Sequence, residues 1–209
     1  FTKYDDLENI SNKKNIAYFP LHVQPELSTD VLSPFYNNQL DLAKNIAQSL
    51  PDNFVLVVKE HPDFLGQKKI NFFRNLRKLP SVIFLKHDVS SKKILEKSSI
   101  VFTISGTVGI ESSLLNIPTI TFCDLFFNSL SPITRCESLD TLPKLIKESL
   151  KKPVIFNEVV LSFQDLLNKS YEGKWCDPYN DPEVMQKANL DKLKRSFKKV
   201  VKYISDCSK

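Results

Sequence analysis

Three short stretches hold the polar residues best suited to gripping an anion: "KEHPD" at 59–63, "SGTVGIE" at 105–111 and "HVQPELSTD" at 22–30. In the first, His61 follows an apolar run and precedes Pro62, which biases the residue before it toward extended backbone. Strand alternation puts Lys59 and His61 on one face and Glu60 on the other. A histidine beside a phosphate can donate a hydrogen bond and, when protonated, neutralise leaving-group charge. The competing reading is a structural histidine at a strand end. His22 and His87 carry no such neighbours and read as structural or surface residues.

The second stretch packs Gly106 and Gly109, two of the chain's four glycines, into the end of an apolar run. A helix starting near Thr107 would turn free backbone N–H groups toward a phosphate, and Ser105 and Thr107 add hydroxyl donors. Gly106 and Gly109 admit either a left-handed backbone or a close approach. Glu111 stands one position too late for a capping box. Leaning back toward the helix start, it would repel phosphate but accept hydrogen bonds from ribose hydroxyls. The stretch is neither a P-loop nor a GxGxxG fingerprint. Its competing reading is a helix start with small residues for packing. In the third stretch, Gln24 and Glu26 either line a crevice or cap the next helix.

These loops must be positioned by regular elements. Barely alternating runs rich in Val, Ile and Phe at 15–21, 54–60, 81–86, 99–105 and 118–122 suit strands buried on both faces of a parallel sheet. Helical patterns lie between them at 35–50, 68–79, 90–98 and 107–116, stopped by Pro51, by Pro80 and before Pro118. The alternation predicts an α/β fold, a Rossmann-like doubly wound parallel sheet with right-handed crossovers. Beyond residue 123 the pattern is mostly helical, at 138–152, 156–170 and 182–205. The expected division is a Rossmann-like ligand-binding domain at 1–155 and a helical extension at 156–209. With strand order 3-2-1-4-5, ligands bind where the order reverses, beyond the carboxyl ends of the first and fourth strands. All three polar stretches then converge on one crevice.

Composition sets outer bounds. The chain has 209 residues, 42% hydrophobic and 25% charged, which suits a globular domain with a sizeable core. No apolar run approaches the roughly 18 residues of a membrane span, and the opening "FTKYDDLENISNKKN" has no apolar signal core. Cys123, Cys136, Cys176 and Cys207 are widely spaced, without CxxC or histidines at metal spacing, and read as reduced thiols. A cytoplasmic location is the resulting expectation. The net charge of +5 is concentrated near the C-terminus and does not by itself point to nucleic acid, which is not an expected partner.

"YFPLHVQPELST", "FYNNQ", "LVVKEHP" and "VFTISGTVGIESSLLNIPTITF", in matching order over residues 16–123, resemble the bacterial glycosyltransferases of capsule and surface-polysaccharide biosynthesis. The His-Pro pair and Ser/Thr-rich loop are also similar to those of sialyltransferases and Kdo transferases, which use CMP-sugars. The resemblance implies one half of a metal-independent GT-B enzyme, with a nucleotide-sugar such as CMP-Kdo as donor and no separate cofactor. It casts His61, with Lys59 and Pro62 beside it, at the donor phosphate and as the catalytic contact. Ser105, Gly106 and Thr107 become the phosphate loop, Glu111 a ribose contact, and Gln24 and Glu26 further contacts. The chain departs from the family pattern at Ser112, where the residue after the glutamate is typically alanine.

Only one Rossmann-like unit is visible, so the expectation is the donor-binding half of a longer enzyme, its N-terminal acceptor domain absent from this chain. Its partner would be a glycan or lipid-linked acceptor. Rival readings are a nucleotide-sugar epimerase or polyol-phosphate transferase on the same fold, or a non-enzymatic sugar-nucleotide-binding or scaffold module. The basic C-terminal stripe Leu193, Phe197, Val200, Val201 and Ile204 either docks on a domain or lies peripherally on the inner membrane surface.

Overall fold

Strands buried on both faces need long apolar stretches, and β1 (Asn15–Pro20) and β2 (Phe54–Lys59) are apolar along nearly their whole length, while β4 (Ser98–Thr103) is apolar through its buried Ile100–Phe102 centre. All six residues of β2 are buried. The computed structural model describes residues 4–10, 14–61, 68–175 and 178–207. With β3 (Val82–Leu85), β5 (Thr119–Thr121) and β6 (Ile133–Arg135), these strands form one sheet ordered β3-β2-β1-β4-β5-β6, every pair parallel. The order reverses between β1 and β4, as the sequence predicts. The sixth strand falls where the sequence pattern, mostly helical beyond residue 123, assigns no element. It is only three residues long and incompletely buried, so it leaves no apolar run to detect.

β1 shows how one strand serves two layers. Ala17, Phe19 and Leu21 pack into one core with α1 (Gln39–Ser49), α2 (Ile70–Arg77) and α5 (Leu142–Lys151). Ile16 and Tyr18 join the other core, with Ile94 and Leu95 of α3 (Ser91–Glu96) and Val108 of α4 (Val108–Leu114). The period of two thus distributes a single apolar run between both faces. α1 begins where the Asn38 side chain accepts from the Asp41 N–H, and α3 where Ser90 accepts from the Lys93 N–H.

The β3 edge is partly covered and the β6 edge is short. On β3, the Asp5 N–H donates to the Phe84 carbonyl at 2.9 Å, and the Asp5 carboxylate accepts from the Phe84 N–H at 3.0 Å. β6 ends in exposed Arg135, which pairs with Asp124 at 3.6 Å.

The chain forms two compact units, residues 1–163 and 164–209. α6 (Phe156–Asn168) contains the division. In the second unit, α7 (Lys187–Cys207) has no buried residue and exposes Phe197, Val201, Tyr203 and Ile204. Trp175 packs edge-on against Phe197, with ring centroids 5.3 Å apart. Lys174 pairs with Asp181 at 2.9 Å and with Glu183 at 2.7 Å. Gly173 takes a left-handed φ of 127°, a conformation that favours glycine. Cys123 and Cys136 are buried free thiols and Cys207 an exposed one, while Cys176 lies outside the described residues. Among the described residues, no helix is long and apolar enough to cross a membrane.

Neither Gly106 nor Gly109 is left-handed; both answer to close approach. A Cβ on Gly109 would lie 2.8 Å from Cε2 of the buried Phe127. Gly109→Ala gains about 1 kcal/mol of helix propensity, but overpacking costs roughly 1–3 kcal/mol. The expected net result is destabilisation of up to about 2 kcal/mol in urea denaturation. A more stable variant would show that Phe127 yields freely.

Candidate functional site

At the strand-order reversal, the chain leaves β1 toward one layer and β4 toward the other, opening a crevice between them. It forms a cavity of about 460 Å³. The loops after β1, β2 and β4 all contribute: Glu26 from the first, His61 from the second, and Ser105, Gly106, Thr107 and Glu111 from the third. Tyr18, His22, Ser28 and Ser91 complete its polar lining. His61 and Thr107 therefore stand on one rim.

Lys59 and Gln24 do not line the cavity. Lys59 turns into the protein, where its Nζ donates to the Val89 carbonyl at 2.8 Å and the Ser91 hydroxyl at 2.7 Å. Burial lowers its pKa, while Asp88 and Glu111 oppose that shift. Gln24 braces the loop after β1. Its Nε2 donates to the Asn37 carbonyl at 2.7 Å, and its Oε1 accepts from Gln39 at 2.7 Å and from Lys68 at 3.3 Å. Pro62 lies outside the described residues. Glu26 borders a π-helical turn, Leu27–Val31, without capping it by its side chain, and its carboxylate accepts from Ser28 at 2.8 Å.

His22, read from sequence as structural or surface, is buried and holds the loop after β4 in place. The Ser105 N–H donates to its Nε2 at 3.2 Å. A ring nitrogen that accepts carries no proton, so the ring is neutral with its hydrogen on Nδ1. Thr103 Oγ1, 3.0 Å from the same Nε2, is then the donor in that contact, and it accepts from the Gly106 N–H at 2.9 Å. A Cβ on Gly106 would lie 2.9 Å from Thr103 Oγ1 and 3.2 Å from His22 Nε2, so the glycine is needed for this packing. Gln39 fixes the backbone of His22, accepting from its N–H at 2.7 Å and donating to its carbonyl at 3.0 Å. Burial first, then repulsion from His61 and Lys68, pushes the His22 pKa down to about 4; the Pro20 carbonyl works against this.

The signal that marks His22 is its place. It comes after β1 as His61 comes after β2, on the strand beside the reversal.

Six buried side-chain atoms among the described residues have no hydrogen-bond partner. Three of them, Tyr18 Oη, His22 Nδ1 and Ser105 Oγ, belong to residues lining this one cavity. Unsatisfied buried polar groups are rare in folded proteins, so their concentration sets this cavity apart. Its ionisable lining comprises two carboxylates, Glu26 and Glu111, and two histidines, His22 and His61, with Tyr18; among the described lining residues there is no Lys or Arg. An anion bound here would rely on hydroxyls, backbone N–H groups and the imidazole, whereas the carboxylates suit ligand hydroxyls. Among the described residues, no group of three or more His, Cys, Asp or Glu could hold a metal ion.

Residues 3–157, about three quarters of the chain, match the family of capsule polysaccharide biosynthesis proteins. The chain belongs to that family. This capsule biosynthesis chain is 30% identical over 115 residues to Protein FixF of Sinorhizobium fredii, covering 54% of the chain and 27% of FixF. Its fold is shared with the KpsC beta Kdo 2,4 transferase of Thermosulfurimonas dismutans, with TM-score 0.51 and 15% identity over 77% of this chain and 47% of that one. It is shared too with the spinosyn rhamnosyltransferase SpnG complexed with thymidine diphosphate, with TM-score 0.52 and 12% identity over 79% and 45%. The likeness is one of fold: a Rossmann-like α/β unit of the GT-B type. The chain spans about a quarter of FixF and under half of each of these two structures.

The His22 contacts carry a pH signature. Its folded pKa lies below the unfolded value of about 6.5, so the unfolded chain binds the extra proton between pH 6.5 and 4. The stability associated with neutral His22 is full above pH 6.5 and is lost as pH falls toward 4, by roughly 3 kcal/mol. Urea denaturation across that range is expected to show this loss in the wild type and a flatter acid limb in His22→Gln, which keeps an acceptor without titrating. Equal slopes would contradict the neutral ring.

Proposed function

We propose that this chain is the donor-binding half of a capsule glycosyltransferase and that the cavity between β1 and β4 holds a nucleotide-sugar. One observation carries the reading. In a chain of the capsule biosynthesis family, the three loops beyond β1, β2 and β4 line a single cavity at the strand-order reversal.

In this reading the donor phosphate sits against the Ser105–Thr107 turn. The Ser105 and Thr107 hydroxyls and His61 stabilise charge on the departing phosphate as the bond to the sugar breaks. Glu26 and Glu111 take ribose or sugar hydroxyls, a role their negative charge allows and phosphate contact would not. Lys59 acts from behind the cavity through Ser91. The donor is a CMP-sugar of the CMP-Kdo type, the sugar going to a capsular or surface glycan held by a second domain, which would also supply the acceptor's base. No metal ion takes part in this scheme.

Calorimetry of the whole chain with CMP, UDP, GDP and thymidine diphosphate tests the reading. At least one should bind with a Kd below about 1 mM, equivalent to about −4 kcal/mol, and CMP most tightly. His61→Ala should weaken that binding by about tenfold, the scale of one lost charge-assisted hydrogen bond. Failure of all four nucleotides at millimolar concentration would remove the donor site.

A further inference from the structure

We propose that Tyr18 is a specificity-determining residue of this cavity, its hydroxyl donating a hydrogen bond to a ring hydroxyl of the bound ligand. The inference rests on the donor-site reading and deepens it by assigning the chemistry of the cavity floor.

Tyr18 occupies the middle of the central strand. It pairs with Val57 of β2 and Val101 of β4, and its side chain is fully buried. Its neighbours in that core include Val57, Ile94, Val101 and Val108. A phenylalanine would satisfy every one of those contacts. The oxygen is what needs explaining, because a buried tyrosine hydroxyl ordinarily finds a partner. Among the described residues, none stands in hydrogen-bond geometry to it.

Two polar residues lie near that oxygen, and both line the cavity. Ser91 is close enough to influence its ionisation, and the Glu111 carboxylate acts on it from α4. Burial first pushes the Tyr18 pKa up to about 12, with the Ser91 hydroxyl beside it opposing the rise and Glu111 adding to it. The phenol therefore keeps its proton and remains a donor across the working range of pH. Ser91 already accepts from Lys59, which leaves its own O–H to donate. The floor thus offers two hydroxyl donors, Tyr18 and Ser91, beside one strong acceptor, Glu111. That set is complementary to a vicinal diol, whose oxygens accept and whose hydrogens donate. It is a poor match for phosphate, which Glu111 would repel. A nucleotide-sugar carries such diols on its ribose and on its transferred sugar.

Tyr18→Phe removes one oxygen and little else. Calorimetry and thermal unfolding are run on the whole chain, wild type and variant, with CMP, UDP, their 2′-deoxy analogues and UDP-glucose. The variant should melt at the wild-type temperature or above, since an unpaired buried hydroxyl is lost, and bind its ligand about three- to tenfold more weakly. If the recognised hydroxyl is on the ribose, the wild type discriminates against the 2′-deoxy nucleotide and the variant does so less, a coupling read from the double cycle. If it is on the sugar, the penalty appears with UDP-glucose and not with UDP. Either pattern supports the assignment. Unchanged affinity for all these ligands, whether or not the melting temperature falls, overturns it while leaving the donor site standing. A wild type that binds none of them, nor GDP or thymidine diphosphate, overturns both.

Discussion

The crevice depends on the tie between the carboxyl ends of β1 and β4. The two strands lie side by side, yet the chain departs from them into opposite layers, so nothing in the sheet ladder joins the two outgoing loops. His22 Nε2 bridges that gap by accepting from the Ser105 N–H and contacting Thr103 Oγ1, which in turn receives the Gly106 N–H. A neutral imidazole suits this task because its unprotonated nitrogen accepts hydrogen bonds without bringing a charge into the protein interior. Gly106 belongs to the same arrangement, since any side chain there would collide with both partners.

The cavity's electrostatic character is set by how its cations are used. Lys59 is spent on the Val89 carbonyl and Ser91, and Lys68 reaches Gln24 and the face of Phe72, 4.9 Å from the ring centroid. Both stabilise walls without entering the lining. Mostly hydroxyls with two carboxylates face the interior, a surface for a ligand that is rich in hydroxyls and anionic at one end only. Uncompensated positive charge would favour bare phosphates; this lining does not.

Much of the sheet could be read in the residues, because strands covered on both faces carry apolar, β-branched-rich runs and five of the six stand out in this way. β6 could not, since three incompletely buried residues leave no periodic signature. The rim was legible for the same reason: once the strand order is 3-2-1-4-5, the ends of the first and fourth strands must be neighbours. The details were set by packing that no local pattern encodes. Lys59 lies on a strand that alternation describes correctly, but Ser91 and the Val89 carbonyl, some thirty residues on, decide where its ammonium goes. Gln24 is captured by Gln39 in the same way. His22 is structural, one of the two roles its sequence context allows, but what it holds, a loop 83 positions away, leaves no local trace.

The treatment of the outermost strands has a consequence for how the protein behaves in company. A parallel sheet presents a row of unsatisfied N–H and C=O groups on each flank, which other chains can extend into aggregates. Here Asp5 occupies one flank with its own backbone and carboxylate, and the other stops after three residues at a charged arginine. Strand addition therefore meets Asp5 on one flank and finds only three residues to build on at the other, which disfavours sheet growth as a route to self-association.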